Sequence, residues 1–268
     1  MSEGNGQGTE GGAAAPGRAV IRIRGLTKSF GDQTVVHVDD LVLGAQPVEG
    51  LIGPNGAGKT TLMRLIMRST RADTGSVTLD DGASEVALSK LAPHRIASLG
   101  VVKTNQVTQD FAGLTIWDSL LLAVAQRRDE RPHRIYRERH LVERYGEEIQ
   151  SYLDVFEFSE PGGFAHSTGE KKLLDLIRCL LLNPKILLLD EPTAGLPEDV
   201  TAQVIELLRA KVAAGMSVII VEHDLDVIWG FSDVVHFMAE GDVILEGDPD
   251  YIRAHSTVVE KYLGSGHV

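Results

Sequence analysis

The chain is nearly devoid of cysteine. Cys179 is the single one among 268 residues, so no internal disulfide can form. It lies in an apolar stretch, where a small buried hydrophobe is expected rather than a reactive thiol. Positive charge is in deficit. Lys and Arg number 26 against 38 Asp and Glu, a formal net charge of -12. That balance argues against sequence-independent nucleic-acid binding, which requires a basic footprint. Long apolar runs are also missing. The longest, Leu180 to Leu189, is broken by Asn183, Pro184 and Lys185 and falls short of the roughly 18–20 residues of a membrane span. The opening residues lack the basic-then-apolar layout of a signal peptide. Residues 1–18, rich in Gly, Ala and Glu, read as a disordered tail. A soluble chain in a reducing cytoplasm is the expectation.

What is present is a large apolar fraction, 43%, enough for one large domain or two small ones. The most informative segment is Gly53-Pro54-Asn55-Gly56-Ala57-Gly58-Lys59-Thr60, which fits the phosphate-binding pattern G-x-x-x-x-G-K-[ST]. Glycines let the backbone bend sharply and approach a phosphate with no Cβ in the way. Successive N–H groups then point into one anion-binding concavity, and the following helix adds its positive dipole end. Lys59 is placed to reach the β and γ phosphates and Thr60 to offer its hydroxyl to Mg²⁺. The flanks agree: Val48 to Ile52 reads as a short apolar strand and Thr61 to Met67 as a helix, the context such a loop demands.

Elsewhere, Val20 to Arg24 and Val35 to Leu43 alternate with period two around a Gly31-Asp32 turn, predicting an antiparallel pair. Gly75 to Leu79 is a further strand, closed by Asp80-Asp81-Gly82. Thr115 to Ala125 is apolar at helical spacing, and Arg127 to Gln150 is dense in charge of both signs, the mark of a solvated helical face and a loop. Ile186 to Leu189 and Val218 to Val221 are continuous apolar runs, which suit strands buried on both faces of a parallel sheet. Thr201 to Ala213 supplies an amphipathic helix between them.

Both runs end in chemically capable residues, Asp190-Glu191-Pro192 and Glu222-His223-Asp224, and ligands of open α/β sheets bind at carboxyl ends of strands. Leu187 to Glu191 reads as a Walker B segment. Asp190 is expected to hold Mg²⁺, and Glu191 to act on the attacking water as general base. His223 is placed to reach the γ-phosphate. Phe30 is a platform for stacking adenine. Ser167-Thr168-Gly169-Glu170 fits a capping box, with Ser167 as N-cap and Glu170 three residues on; such a helix start is also a phosphate site.

In this order the residues resemble the ATP-binding subunit of an ABC transporter over about residues 19–264. Phe30 corresponds to the aromatic A-loop, Gly53 to Thr60 to Walker A, Gln106 to the Q-loop, Ser167 to Glu170 to the signature, Ile186 to Asp190 to Walker B and His223 to the H-switch. Thr104-Asn105-Gln106, Phe111 to Thr115, Asp190 to Leu196, Leu245 to Pro249 and Val258 to Gly264 are similar to the importer ATPases for branched-chain amino acids and for urea. One departure stands out. The family signature is usually Leu-Ser-Gly-Gly-Gln, whereas His166-Ser167-Thr168-Gly169-Glu170 stands here. A carboxylate at Glu170 near a triphosphate weakens binding unless Lys171 or Lys172 offsets it.

The resemblance implies an α/β P-loop NTPase, a RecA-like core over residues 19–268 with an antiparallel β subdomain and a helical subdomain inserted at about 110–182. It implies ATP and Mg²⁺ as cofactors. Gly53, Pro54, Asn55, Gly56, Ala57, Gly58, Lys59, Thr60, Thr61, Phe30, Ser167 and Gly169 would hold the nucleotide. Thr60, Gln106 and Asp190 would serve the metal, and Glu191, His223 and Gln106 the chemistry. The partners implied are a second ATPase subunit, identical or a paralogue, integral-membrane permeases on whose inner face the chain would sit, and an extracytoplasmic solute-binding protein, with no nucleic acid. Competing expectations are a soluble ABC ATPase without a pore, a non-hydrolysing regulatory subunit, and a small-molecule kinase; the last leaves Ser167 to Glu170 and His223 without a role.

Overall fold

The computed structural model describes residues 18–104, 114–125, 138–156, 158 and 167–263. The expected tail through residue 17, Gln106 with most of its surrounding segment, the charged residues 127–137 and His166 lie outside the described residues.

The chain opens with the expected hairpin, β1 (Val20–Phe30) and β2 (Gln33–Leu43), in antiparallel register. β3 (Val48–Ile52) runs into the glycine-rich loop and α1 (Lys59–Ile66). β4 (Thr74–Asp80) and β5 (Glu85–Ala87) complete a four-stranded antiparallel sheet of order β2-β1-β4-β5. Then follow α2 (Pro93–Ser98), β6 (Val101–Lys103), α3 (Ile116–Ala125), α4 (Glu138–Phe156) and α5 (Thr168–Leu181). β7 (Ile186–Asp190), α6 (Glu198–Ala213) and β8 (Ser217–Val221) form the expected βαβ unit. Next come α7 (Leu225–Phe231), β9 (Val234–Ala239), β10 (Asp242–Gly247) and α8 (Pro249–Ala254), and residues 256–263 are again helical.

The second sheet has the order β10-β9-β3-β8-β7-β6. It is parallel except at β10, which pairs antiparallel with β9. Its central strands are apolar throughout because each face meets a different core. From β7, Leu187 and Leu189 face the cluster that also holds Ile177 of α5 and Leu208 of α6. Ile186 and Leu188 face the cluster that holds Leu62 of α1 and Ile21 of β1. β8 divides in the same way, Val218 and Ile220 against Ile219 and Val221. Each such side chain contributes roughly 1.5–3 kcal/mol by leaving water. Two-sided burial is why the runs show no polar alternation.

α3, α4 and α5 stack on the first of these cores through Leu120, Val124, Ile149, Leu153 and Leu173. α5 starts where its capping box places it. The Ser167 Oγ accepts from the Glu170 N–H at 2.9 Å, and the Glu170 carboxylate accepts from the Ser167 N–H at 3.1 Å. α6 begins three residues before the expected Thr201, because Pro197 stops the chain and Glu198 and Asp199 favour a first turn.

Candidate functional site

The sheet order sets the site. β3, β8, β7 and β6 are consecutive neighbours pointing the same way, so the glycine-rich loop, His223, Glu191 and Thr104 emerge along one edge. β8 thus lies between the strands that carry the loop and Asp190, a nearness that chain order alone only suggested.

The loop itself admits little but glycine. Gly53 has φ 148°, and a Cβ there would stand 1.9 Å from the Met238 carbonyl oxygen. Gly58 has φ 105°, and its Cβ would meet the Val35 carbonyl oxygen at 2.5 Å. Backbone from β9 and β2 therefore presses against the loop and fixes its curve. The Ala57 N–H bonds to the Pro54 carbonyl at 3.2 Å, and the Ala57 carbonyl accepts from the Gly241 N–H at 3.1 Å. Asn55 and Gly56 form the exposed tip.

Lys59 is buried and folds across the loop, its Nζ donating to the carbonyls of Gly53 at 2.5 Å and Pro54 at 3.0 Å. Burial pushes its ammonium below the ordinary lysine range, while the carboxylates of Glu191 and Asp190 oppose that shift. Thr60 Oγ1 donates to Asp190 Oδ1 at 3.2 Å. The Asp190 side chain is fully enclosed. Its other oxygen meets Lys103 Nζ at 3.1 Å, and its N–H donates to Thr104 Oγ1 at 3.2 Å.

Glu191 breaks out of β7 with φ 54°, a left-handed conformation that costs a glutamate about 1–3 kcal/mol. Its N–H donates to the Val221 carbonyl at 2.9 Å. Its Oε1 lies 3.0 Å from His223 Nε2. A carboxylate beside an imidazole, next to a buried lysine and a hydroxyl–carboxylate pair, can hold a polyphosphate and take a proton from water.

Phe30 sits at the β1–β2 turn, 54% exposed as a residue, with the Lys28 ammonium 5.2 Å from its ring centroid. Thr61 lies half-buried in the first turn of α1. Ser167 and Gly169 have their own local partners. Ser167 bonds within its own first turn, and Gly169 lies against Leu196, to whose Cδ2 a Cβ would come within 3.2 Å. Lys172, one of the two cations expected to offset Glu170, instead donates to the carbonyls of Glu191 and Ala194. Gln106 lies outside the described residues.

Three residues of the site were given no role from the sequence. Lys103 ends β6 and Thr104 follows it, and Glu222 follows β8, buried to 1% exposure beside His223. Glu222 accepts from the Thr193 N–H and Oγ1, both at 2.7 Å. Burial pushes its carboxyl above the ordinary range, against the pull of those hydrogen bonds. The strand-end rule that picked out His223 applies equally to them.

The sequence model of the family described as "ABC transporter" matches residues 38–194. The chain is 30% identical over 265 residues to the high-affinity branched-chain amino acid transport ATP-binding protein BraF of Pseudomonas aeruginosa, with 92% of this chain and 98% of the relative covered. It is 29% identical over 251 residues to the probable branched-chain amino acid transport ATP-binding protein LivG of Archaeoglobus fulgidus, covering 92% and 96%. Its fold is similar to that of a nucleotide-free ATP-binding cassette from an ABC transporter, with a TM-score of 0.71 at 25% identity over 91% of this chain and 98% of the other. It is similar also to the ADP conformation of such a cassette, with a TM-score of 0.72 at 24% identity, 92% of this chain and 99% of the other being covered.

Proposed function

The chain belongs to the ABC transporter family as an ATP-binding, ATP-hydrolysing subunit, and on that premise we propose that it powers uptake of branched-chain amino acids, urea or a related small polar solute. The names of the relatives support the branched-chain amino acids within that class. Among the described residues no helix is long and apolar enough to cross a membrane, so the pore is assigned to separate permease subunits. The chain would sit on their cytoplasmic face, with an extracytoplasmic binding protein delivering the solute. The reading treats 1–18 as a tail and 19–268 as the cassette, with a helical insertion at about 110–182.

The observation that carries the mechanism is the convergence of Thr60–Asp190 and Glu191–His223 at the mouth of the loop. The loop N–H groups and Lys59 would neutralise phosphate charge, and Phe30 would stack on the adenine. Mg²⁺ fits the donor set, since Thr60 Oγ1 and Asp190 Oδ1 are hard oxygens 3.2 Å apart, of the kind this ion takes together with phosphate oxygens. When bound it would supply further charge neutralisation at the β and γ phosphates. Glu191 accepts a proton from the water whose oxygen attacks the γ-phosphorus, as the bond to the bridging oxygen of ADP breaks. His223 fixes the carboxylate through Nε2. Gln106 is assigned to the same chemistry and to the metal from the resemblance alone. Ser167 and Gly169 would close over the nucleotide of a second subunit.

Size-exclusion of the Glu191→Gln variant tests the shared site. A shift from monomer to dimer on adding ATP is expected. A variant that binds ATP, remains monomeric and hydrolyses at the wild-type rate overturns the reading. Reconstitution with permeases and labelled leucine or urea tests the substrate class.

A further inference from the structure

Two charged side chains beside the site have no part in the mechanism above, and both grip the segment that follows Glu191. Lys172, in the first turns of α5, donates through Nζ to the Glu191 carbonyl at 3.1 Å and the Ala194 carbonyl at 2.6 Å. Glu222 takes the Thr193 N–H and hydroxyl on one oxygen, and the His223 N–H on the other at 3.3 Å. His223 Nε2 returns to Glu191 Oε1. The contacts close a ring: α5, Lys172, the 191–196 segment, Glu222, His223, Glu191.

The segment does not require a buried carboxylate and a half-buried ammonium merely to turn. Its own Leu196 N–H bonds to the Thr193 carbonyl at 2.9 Å, and Gly195 supplies the positive φ of 78°. Burying the Glu222 carboxylate is costly unless it is fully hydrogen-bonded, and half-burying the Lys172 ammonium adds to that cost. The backbone of Glu191 is what calls for them. Its left-handed conformation persists only if its surroundings over-determine it. Both peptide groups of Glu191 are pinned, the N–H by the Val221 carbonyl and the carbonyl by Lys172. Lys172 is thus the side chain that holds the carbonyl of the strained residue. It stands on the same helix as Ser167, and Gly169 of that helix touches Leu196 at the far end of the segment.

We propose that Lys172 and Glu222 are positioning residues that clamp the 191–196 segment between α5 and the end of β8, so that the placement of α5 sets the carboxylate of Glu191 in the same chain. The inference rests on Glu191 acting as the base.

The test is steady-state hydrolysis by the full chain, with ATP affinity measured separately by titration. Lys172→Met should lower kcat at least about tenfold and leave ATP affinity within about twofold, a split that loss of general stability does not produce. Lys172→Arg should keep kcat within about threefold, and Glu222→Gln should lower it as Lys172→Met does. The double variant should be no worse than about the poorer single, as expected of two residues acting through one segment. If Lys172→Met does not fold, Lys172→Ala, which likewise removes the donor, is measured in its place against the same expectations. A kcat within about twofold of wild type for Lys172→Met, or effects of the two variants that multiply, overturns the clamp alone. A wild-type chain that binds ATP without hydrolysing it in Mg²⁺ overturns the assigned chemistry, and the clamp with it.

Discussion

Glu191 Oε1 and His223 Nε2 stand 3.0 Å apart, although the two residues end different strands of the parallel sheet. β7 and β8 are paired in register with Asp190 opposite Val221, so Glu191, one residue past that pair, and His223, two residues past it, leave the sheet side by side. Glu191→Gln keeps the shape of this pair and removes the proton acceptor. It should lower kcat by about 10²–10⁴ with ATP affinity within about twofold, measured by phosphate release and nucleotide titration. Lys59→Ala, in contrast, should lose nucleotide binding itself.

Lys103→Met would leave the enclosed carboxylate of Asp190 without its ammonium partner. Removing one member of a buried pair should destabilise the fold by about 3–5 kcal/mol. Urea unfolding of variant and wild type checks this, and an unchanged midpoint would contradict the enclosure.

Gly53→Ala and Gly56→Ala separate two reasons for glycine. Gly56 has φ 83° with nothing within 4 Å of an added Cβ, whereas Gly53 faces the Met238 carbonyl. Gly56→Ala should cost about 1–2 kcal/mol from conformation alone. Gly53→Ala should cost at least about 3 kcal/mol and distort the loop. Denaturant melts measure both.

Ser167 caps α5, and under the functional reading it also faces a phosphate. Ser167→Ala removes both roles and should cost about 1 kcal/mol of stability along with activity. Ser167→Asp retains a good cap and adds a negative charge, so thermal stability should stay near wild type while turnover collapses. Equal turnover in wild type and Ser167→Asp would leave the cap as its whole role.

Asp81, in the β4–β5 turn, carries a carboxyl lowered from 3.8 to about 2, first by its hydrogen bond from Lys185 and then by the Ser84 and Ala83 N–H groups. A depressed carboxyl contributes stability above its ordinary pKa, and that contribution is lost as pH falls from 3.8 towards about 2. Lys185→Met should move the Asp81 titration upward, read by NMR, and shift the onset of this acid loss to higher pH.

The parallel core was legible because burial on both faces leaves a direct trace, as in Ile186 to Leu189 and Val218 to Val221. The capping box at Ser167 and Glu170 was legible because its two hydrogen bonds are local in sequence. β9 and β10 were not foreseen. His236 and Glu246 interrupt their apolar pattern, and His236 is buried against Glu49, 3.2 Å away on a strand far off in the chain. Lys103 and Glu222 escaped for a related reason. Their partners, Asp190 and Thr193, come from other strand ends, and one-dimensional spacing says nothing of a contact made only when the sheet assembles.

The strand order also bears on how the chain is made. β3, from the first fifth of the sequence, is flanked on one side by β8 and on the other by β9, both from the last fifth. During synthesis the phosphate loop therefore emerges long before either of its neighbours. Pairings so distant in sequence form slowly. A nascent chain stalled before residue 217 would carry the complete glycine-rich motif yet lack the wall that shapes it, and nucleotide can assist folding only once the C-terminal strands have left the ribosome.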